Sequence, residues 1–316
     1  MSPLKVGFVG TGYMAKEYAK VFKTIKNPSI KLVGAINKSG SAIDNFLNTY
    51  KVKEKFTTID QLMIKTKPDL LVVAVSELSM LSVMKTISKF PCAAIIEKPL
   101  GINFEENKKI LNLKKNKNFH AFLGMNRRKY SSVISAKKLL KLDSSKRIIT
   151  INDQENTLRA TKGGQPQKVV KNWMYANSIH MIDFCKIFGR GKLTKISKTS
   201  ESDFLKKDFI SRKIIYSSGD IVYYNCVWNR PAPWSLSIST KKLYIELKPI
   251  EKIRYISSEN RVWQELPESK EDKIFKPGLY LQIQELIHFI KFKKTNLEKI
   301  ENSSALMRLI KDIYFG

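Results

Sequence analysis

The residues whose types and spacing most plainly serve a chemical purpose stand at the start of the chain. Leu4-Lys5-Val6-Gly7-Phe8-Val9 reads as a short apolar strand. It runs into Gly10-Thr11-Gly12-Tyr13-Met14-Ala15, a Gly-x-Gly-x-x-Ala turn that opens an amphipathic helix. In that arrangement Gly10 permits the tight turn and Gly12 lets the backbone approach a pyrophosphate. Ala15, as small as a third glycine, lets helix and strand pack closely. Phosphates would sit on the amide N–H groups at the helix start, where the macrodipole favours negative charge. The chemistry implied is dinucleotide binding, with Gly10, Thr11, Gly12, Tyr13 and Met14 around the phosphates. Ser76, after a later strand, is expected to join them.

The elements that must position this turn follow from periodicity. Ile30 to Ile36 is a second apolar strand, and Leu70 to Val75 is a continuous apolar run typical of a strand buried on both faces of a parallel sheet. Cys92 to Glu97 and His120 to Gly124 read as further strands, with helical patterns between. Strand and helix alternate through the first 124 residues, so a doubly wound α/β domain is expected over residues 1–124 and a second domain over 125–316. In the second, helical patterns at Val133 to Leu142 and Trp173 to Phe188 precede a run of strands between about Leu193 and Ile256. That run includes a hairpin at Ser218-Gly219-Asp220 and points to an antiparallel sheet. Helices return at Leu279 to Phe292 and Ser304 to Tyr314. Gln154 to Val169, with Gly163-Gly164 and Pro166, reads as a mobile loop.

Composition narrows the setting. The net charge is +29, yet only ten of the 57 cations are arginine, and the lysines scatter along the whole length. Readers of base edges lean on arginine, and phosphate-backbone binders cluster their charge. The pairs Lys108-Lys109, Lys114-Lys115 and Lys137-Lys138 suit solvated helix faces, so the charge reads as compositional bias and no specific nucleic-acid partner is expected. No apolar run is long enough to span a bilayer, and with no charged-then-apolar opening stretch no secretory leader is expected. Cys92, Cys185 and Cys226 sit among apolar residues without metal-ligand spacing, so buried thiols in a reducing cytoplasm and no metal are expected.

Three later segments add to the glycine turn: Glu97-Lys98-Pro99 at the carboxyl end of a parallel strand, Gly124-Met125-Asn126-Arg127-Arg128-Lys129-Tyr130 where the first domain gives way to the second, and His180-Met181-Ile182-Asp183 on a helix. In this order and spacing the four resemble the Gfo/Idh/MocA family of NAD(P)-dependent oxidoreductases, across essentially the whole chain. The resemblance implies an N-terminal Rossmann domain with a doubly wound parallel sheet and a C-terminal α+β domain with a large, open, mostly antiparallel sheet. It also implies that the open sheet pairs subunits into a homo-oligomer. The implied activity is hydride transfer between a nicotinamide and a carbinol carbon of a sugar, cyclitol or nucleotide-linked sugar, with a weak pointer to surface-polysaccharide sugars. By the same resemblance Lys98 is the catalytic lysine, close to both the nicotinamide and the reacting hydroxyl, Glu97 joins it at the cofactor, and His180 is the proton-transfer residue. The chemistry of the side chains agrees: a histidine titrating near neutrality suits loss of the hydroxyl proton, and an ammonium stabilises alkoxide charge.

Two departures from the family pattern stand out. An Asp is expected one helical turn before the histidine, where this chain has Ala176, and the preceding glycine-rich run is replaced by Lys171-Asn172-Trp173-Met174-Tyr175. The alternative reading is therefore a catalytically reduced NAD(P)-binding sensor or partner subunit. At the end of the second strand, Asn37-Lys38-Ser39 stands where an acid would hydrogen-bond the ribose of NAD, which tilts the expectation towards NADP. On the substrate side Arg127, Trp173, Asn177 and His180 are expected to meet a sugar-like small molecule, the arginine suiting an anionic group.

Overall fold

The computed structural model describes residues 2–37, 40–199 and 208–316. Lys38 and Ser39, expected at the cofactor, lie outside the described residues. The chain divides into two compact units, Met1–Asn126 with Ile274–Ser304, and Arg127–Lys273 with Ala305–Gly316.

In the first unit β1 (Leu4–Val9), β2 (Ile30–Ile36), β3 (Lys55–Phe56), β4 (Leu70–Val73), β5 (Ala93–Glu97) and β6 (His120–Gly124) form one parallel sheet in the order β3-β2-β1-β4-β5-β6. The helices between them are α1 (Tyr13–Thr24), α2 (Gly40–Tyr50), α3 (Ile59–Thr66), α4 (Met80–Ile87) and α5 (Phe104–Leu111). The order reverses between β1 and β4, the place where open α/β sheets bind ligands beyond the strand ends. Leu70–Val73 is buried throughout, as a strand covered on both faces must be.

The expected boundary at 124 misses one feature. Residues 274–304 return to the first unit, where α11 (Leu279–Phe292) packs on α1 and buries Leu279, Ile283 and Leu286 in the same core as Phe8 and Phe22. A helical pattern shows which face is apolar but not which sheet will cover it.

The second unit holds α6 (Ser131–Leu139), β7 (Ile148–Glu155), α7 (Thr157–Lys162), α8 (Gln167–Lys171), α9 (Ile179–Phe188), β8 (Leu193–Lys198), β9 (Phe209–Tyr216), β10 (Ile221–Trp228), β11 (Ser235–Ser239), β12 (Leu243–Leu247), β13 (Ile253–Ser257) and β14 (Gln264–Leu266). The helix α10 (Lys270–Ile274) precedes α11, and α12 (Ser303–Phe315) ends the chain. The strands form one sheet in the order β14-β13-β12-β11-β7-β10-β9-β8, antiparallel except for the β7–β10 pair. Alternation is clean in β10, where Val222, Tyr224, Cys226 and Trp228 are buried, and the predicted hairpin joins β9 to β10.

Two expectations change here. The run Gln154 to Val169 is not a loop throughout: it contains the end of β7, all of α7, whose start is capped by the Asn156 side chain accepting from Arg159 N, and the start of α8. And β7, absent from the sequence reading, is central to the sheet. Its inward positions are Ile149, Ile151, Asp153 and Glu155, so the last two break the apolar alternation that would reveal a strand.

Candidate active site

The glycine turn has the geometry its sequence implies. Gly10 has φ +92°, and a Cβ there would stand 2.1 Å from the Ala74 carbonyl oxygen, so β1 and β4 close on each other only around a glycine. A Cβ on Gly12 would meet no atom within 4 Å, which leaves open space over the start of α1. That helix begins with no side-chain cap and no acid in its first turn, so its first N–H groups are not taken by the chain's own side chains. The Thr11 hydroxyl beside them is buried and makes no hydrogen bond within the protein. A polar atom in that state calls for an outside partner. These features fit a dinucleotide phosphate group.

Gly10, Thr11, Gly12, Asn37 and Ser76 line one cavity of about 630 Å³, and Lys16, which sequence reasoning did not single out, lines it too. The remaining expected cofactor residues take other places. Met14 packs against the core. Tyr13 is exposed, with Lys276 Nζ 5.3 Å from its ring centre. That lysine arrives with the 274–304 return, so no local signal marked it.

Glu97 ends β5, Lys98 follows it, and neither lines that cavity. Glu97 is buried and accepts a 2.8 Å hydrogen bond from the Tyr18 hydroxyl, which in turn accepts from Gln282 Nε2 at 3.1 Å. Gly124 makes room for it: a Cβ there would lie 2.8 Å from Glu97 Oε1. Burial pushes the Glu97 carboxyl above the usual range, against the pull of Lys98, the Tyr18 hydroxyl and Lys276. Glu97 therefore supports the strand end from below, while Lys98 next to it is half-buried.

In the second unit His180 is buried on α9. Asp183, one turn on, is 1% exposed and holds Arg128 in a two-point pair, Nε to Oδ2 at 2.6 Å and Nη2 to Oδ1 at 2.7 Å. Arg128 is thus spoken for as an anion binder, and Asp183 has a structural partner. Replacing Arg128 by Ala strands a buried carboxylate and should cost about 3–5 kcal/mol of stability, read as a lower urea midpoint at unchanged slope. An unchanged midpoint removes the pair from the account of this helix. Arg127 takes a different environment, its guanidinium 4.5 Å from the centre of the Trp234 ring.

The approach to α9 is a wide helical turn, Met174–Ser178, of the i→i+5 type that recurs at functional sites. Ala176 is buried there, so no carboxylate comes from the helix. One comes from β7 instead. Glu155 Oε2 accepts from Trp173 Nε1 at 2.6 Å and from Asn177 Nδ2 at 2.9 Å, and its Oε1 accepts from Ser178 Oγ at 3.0 Å. Sequence reasoning missed Glu155 because its strand was missed, although an acid at an inward strand position is itself a signal. Burial and the neighbouring Asp153 charge push the Glu155 carboxyl up to about 8. Among the described residues no three His, Cys, Asp or Glu side chains gather as a metal site, and no helix is long and apolar enough to cross a membrane.

Comparison with known proteins bears on this geometry. No curated protein sequence matches the chain. Over 99% of its length the fold is similar to a dehydrogenase from Chromobacterium violaceum (17% identity, 95% of that chain, TM-score 0.82) and to a UDP-N-acetylglucosamine 3-dehydrogenase from Acidithiobacillus ferrooxidans (12%, 97% and 0.79). It is equally similar to a levoglucosan dehydrogenase solved with NADH and levoglucosan (13%, 99% of this chain, 96% of that one, TM-score 0.78). The family model described as an oxidoreductase family with an NAD-binding Rossmann fold matches residues 4–125, the stretch that holds the glycine turn, the cavity and Lys98. Those residues are thus similar to the NAD-binding Rossmann fold of the Gfo/Idh/MocA oxidoreductases.

Proposed function

We propose that the chain is an NAD(P)-dependent oxidoreductase that moves a hydride between nicotinamide and a secondary alcohol or ketone of a sugar, cyclitol or nucleotide-linked sugar. The observation that carries this is the uncapped start of α1 with open space over Gly12 and the unsatisfied Thr11 hydroxyl. A bound nicotinamide dinucleotide supplies the hydride acceptor or donor. In the oxidative direction the carbinol loses its C–H hydrogen as hydride and its O–H hydrogen as a proton, leaving the ketone. Lys98 stabilises negative charge as it develops on the carbinol oxygen, and His180 takes the proton. Arg127, Trp173 and Asn177 bind the substrate, the planar guanidinium suiting a phosphate or carboxylate. The sugar class draws support from the UDP-N-acetylglucosamine and levoglucosan dehydrogenases that share the fold.

Asn37 at the end of β2 offers no carboxylate to repel a 2′-phosphate, and Lys16 lines the same cavity, which supports NADP over NAD. The outward face of the second sheet, with Tyr223 and Val227 half-buried and Ile148 53% exposed, is the proposed surface for homo-oligomerisation. Three buried thiols suit the cytoplasm. Ala176 favours a second reading, a cofactor-binding sensor or partner subunit without turnover.

Thermal-shift titrations with NADH and NADPH test the proposal. They should raise the melting temperature as ligand binds the native state, more with NADPH, and rise further with UDP-N-acetylglucosamine, levoglucosan or a free sugar or cyclitol. No shift with either dinucleotide at about 1 mM, where even a weak site should register, overturns it. Cofactor shifts without turnover on any sugar favour the sensor.

A further inference from the structure

Asp153 and Glu155 are the two inward-facing acids of β7, both almost fully buried, and nothing proposed above uses either in the reaction. A chain of hydroxyl groups joins them. The Tyr224 hydroxyl donates to Asp153 Oδ2 at 2.7 Å and lies 3.4 Å from the Tyr314 hydroxyl. Tyr314 in turn lies 3.3 Å from Ser178 Oγ, which donates to Glu155 Oε1 at 3.0 Å. Every member of the chain is buried. Each hydroxyl is both donor and acceptor, so a proton can be handed from one end to the other by rotating hydroxyls, with no net change in hydrogen bonds.

Two carboxylates this close and this dry do not both ionise readily, because each pays its own desolvation and feels the other's charge. Burial raises both, and the Asp153 charge raises Glu155 further. Opposing that, the Tyr224 and Ser178 hydroxyls and then Arg127 pull Asp153 down, and the Asn177, Ser178 and Trp173 donors pull Glu155 down. The titratable groups around the pair are Tyr224 and Cys226 from β10, Tyr314 from α12, Cys185 from α9, and Arg127. The wide turn adds neutral donors alone, and α9 follows it with His180 and with Asp183 already paired to Arg128.

The far end of Glu155 holds the side chains that matter. Trp173 and Asn177 donate to the same oxygen, Oε2, from one face of the turn that leads into His180. An ionised carboxylate accepts both bonds well. A proton that reaches Glu155 along the hydroxyl chain sits on Oε1, beside Ser178, and leaves Oε2 a neutral carbonyl oxygen to which both donors bond more weakly.

We propose that Asp153 and Glu155 hold one proton between them through the Tyr224–Tyr314–Ser178 hydroxyl chain, and that this pair is the proton-dependent support that positions Trp173 and Asn177. Glu155 is a positioning residue in this scheme, and the proton never leaves the buried network below neutral pH. The link to substrate rests on the proposed role of Trp173 and Asn177, whereas the proton sharing stands without it.

The test is ¹⁵N-indole NMR of the full chain from about pH 6 to about pH 10, a window spanning any plausible carboxyl shift of this kind. One of the four indole signals, identified by its loss in Trp173→Phe, should move with a midpoint at about 8. In Glu155→Gln that movement should vanish. Tyr314→Phe keeps the ring but cuts the hydroxyl chain, and it should displace the midpoint, so the inference stays testable if Glu155→Gln fails to fold. A Trp173 signal that does not move, one that still moves in Glu155→Gln, or an unchanged midpoint in Tyr314→Phe overturns the proposal. None of these readouts depends on cofactor or turnover, so failure of the oxidoreductase reading in the thermal-shift titration is a separate result.

Discussion

Replacing Lys98 by Ala should lower turnover by about 10³-fold while leaving NADH affinity within about threefold of the original. The lysine follows β5, outside the cavity that takes in the glycine turn, so its loss removes no wall of the proposed dinucleotide site. What it removes is the ammonium proposed to meet negative charge on the carbinol oxygen, a contact that strengthens as the reaction proceeds and so appears in kcat more than in KM. The supporting residues should remain in place, because Glu97 is anchored by Tyr18 rather than by Lys98 alone. Lys98→Arg should recover little: a flat guanidinium cannot put a compact charge at the same point. Steady-state kinetics on the sugar that supports turnover, with NADH binding followed by fluorescence, checks both halves. Full turnover in Lys98→Ala would remove the lysine from the chemistry, and lost NADH binding would make it a cofactor residue instead.

The second large effect separates two glycines two positions apart. Gly10→Ala should cost about 3 kcal/mol or more, as severe backbone clashes do. Its φ of +92° is one that side chains rarely adopt, and the added carbon would press on the Ala74 carbonyl. Ala74 N donates to Val9 O at 2.8 Å, so relieving the clash pulls on the central strand pair. Gly12→Ala should leave stability within about 0.5 kcal/mol, since φ there is −71° and no atom stands in the way. Yet it should weaken NADH binding by about tenfold or more, because a methyl group would occupy the space proposed for the phosphates. Urea denaturation and NADH titration of the two variants give the contrast. A Gly12→Ala protein that binds NADH as before would mean that the phosphates do not rest on this turn.

Much of the first unit is legible in the residues because its signals are local. The strand Ile30–Ile36 and the helix Leu279–Phe292 have the limits their patterns imply, and the unbroken apolar run at Leu70 announces a strand covered on both faces. The glycine turn is equally local: the backbone angle at Gly10 and the bare start of α1 follow from a few adjacent residues. The Lys98 and His180 segments could be singled out from short motifs.

What tertiary structure alone decided is which distant groups meet. β7 escaped notice because acids fill its last inward positions, and an acid there makes sense only once its partners are known. For Glu155 those partners come from 18, 22 and 23 residues further along, and for Asp153 from 71 residues away. The 274–304 return likewise carries Lys276 to Tyr13 and Gln282 to Tyr18, across more than 260 residues. Periodicity records which face of an element is apolar, and it holds no record of which polar groups will be desolvated together. The amino-acid order therefore determined the dinucleotide turn and the alternating sheet beneath it, whereas the buried carboxylate that holds Trp173 and Asn177 exists only because folding removes water from side chains that are far apart in the chain.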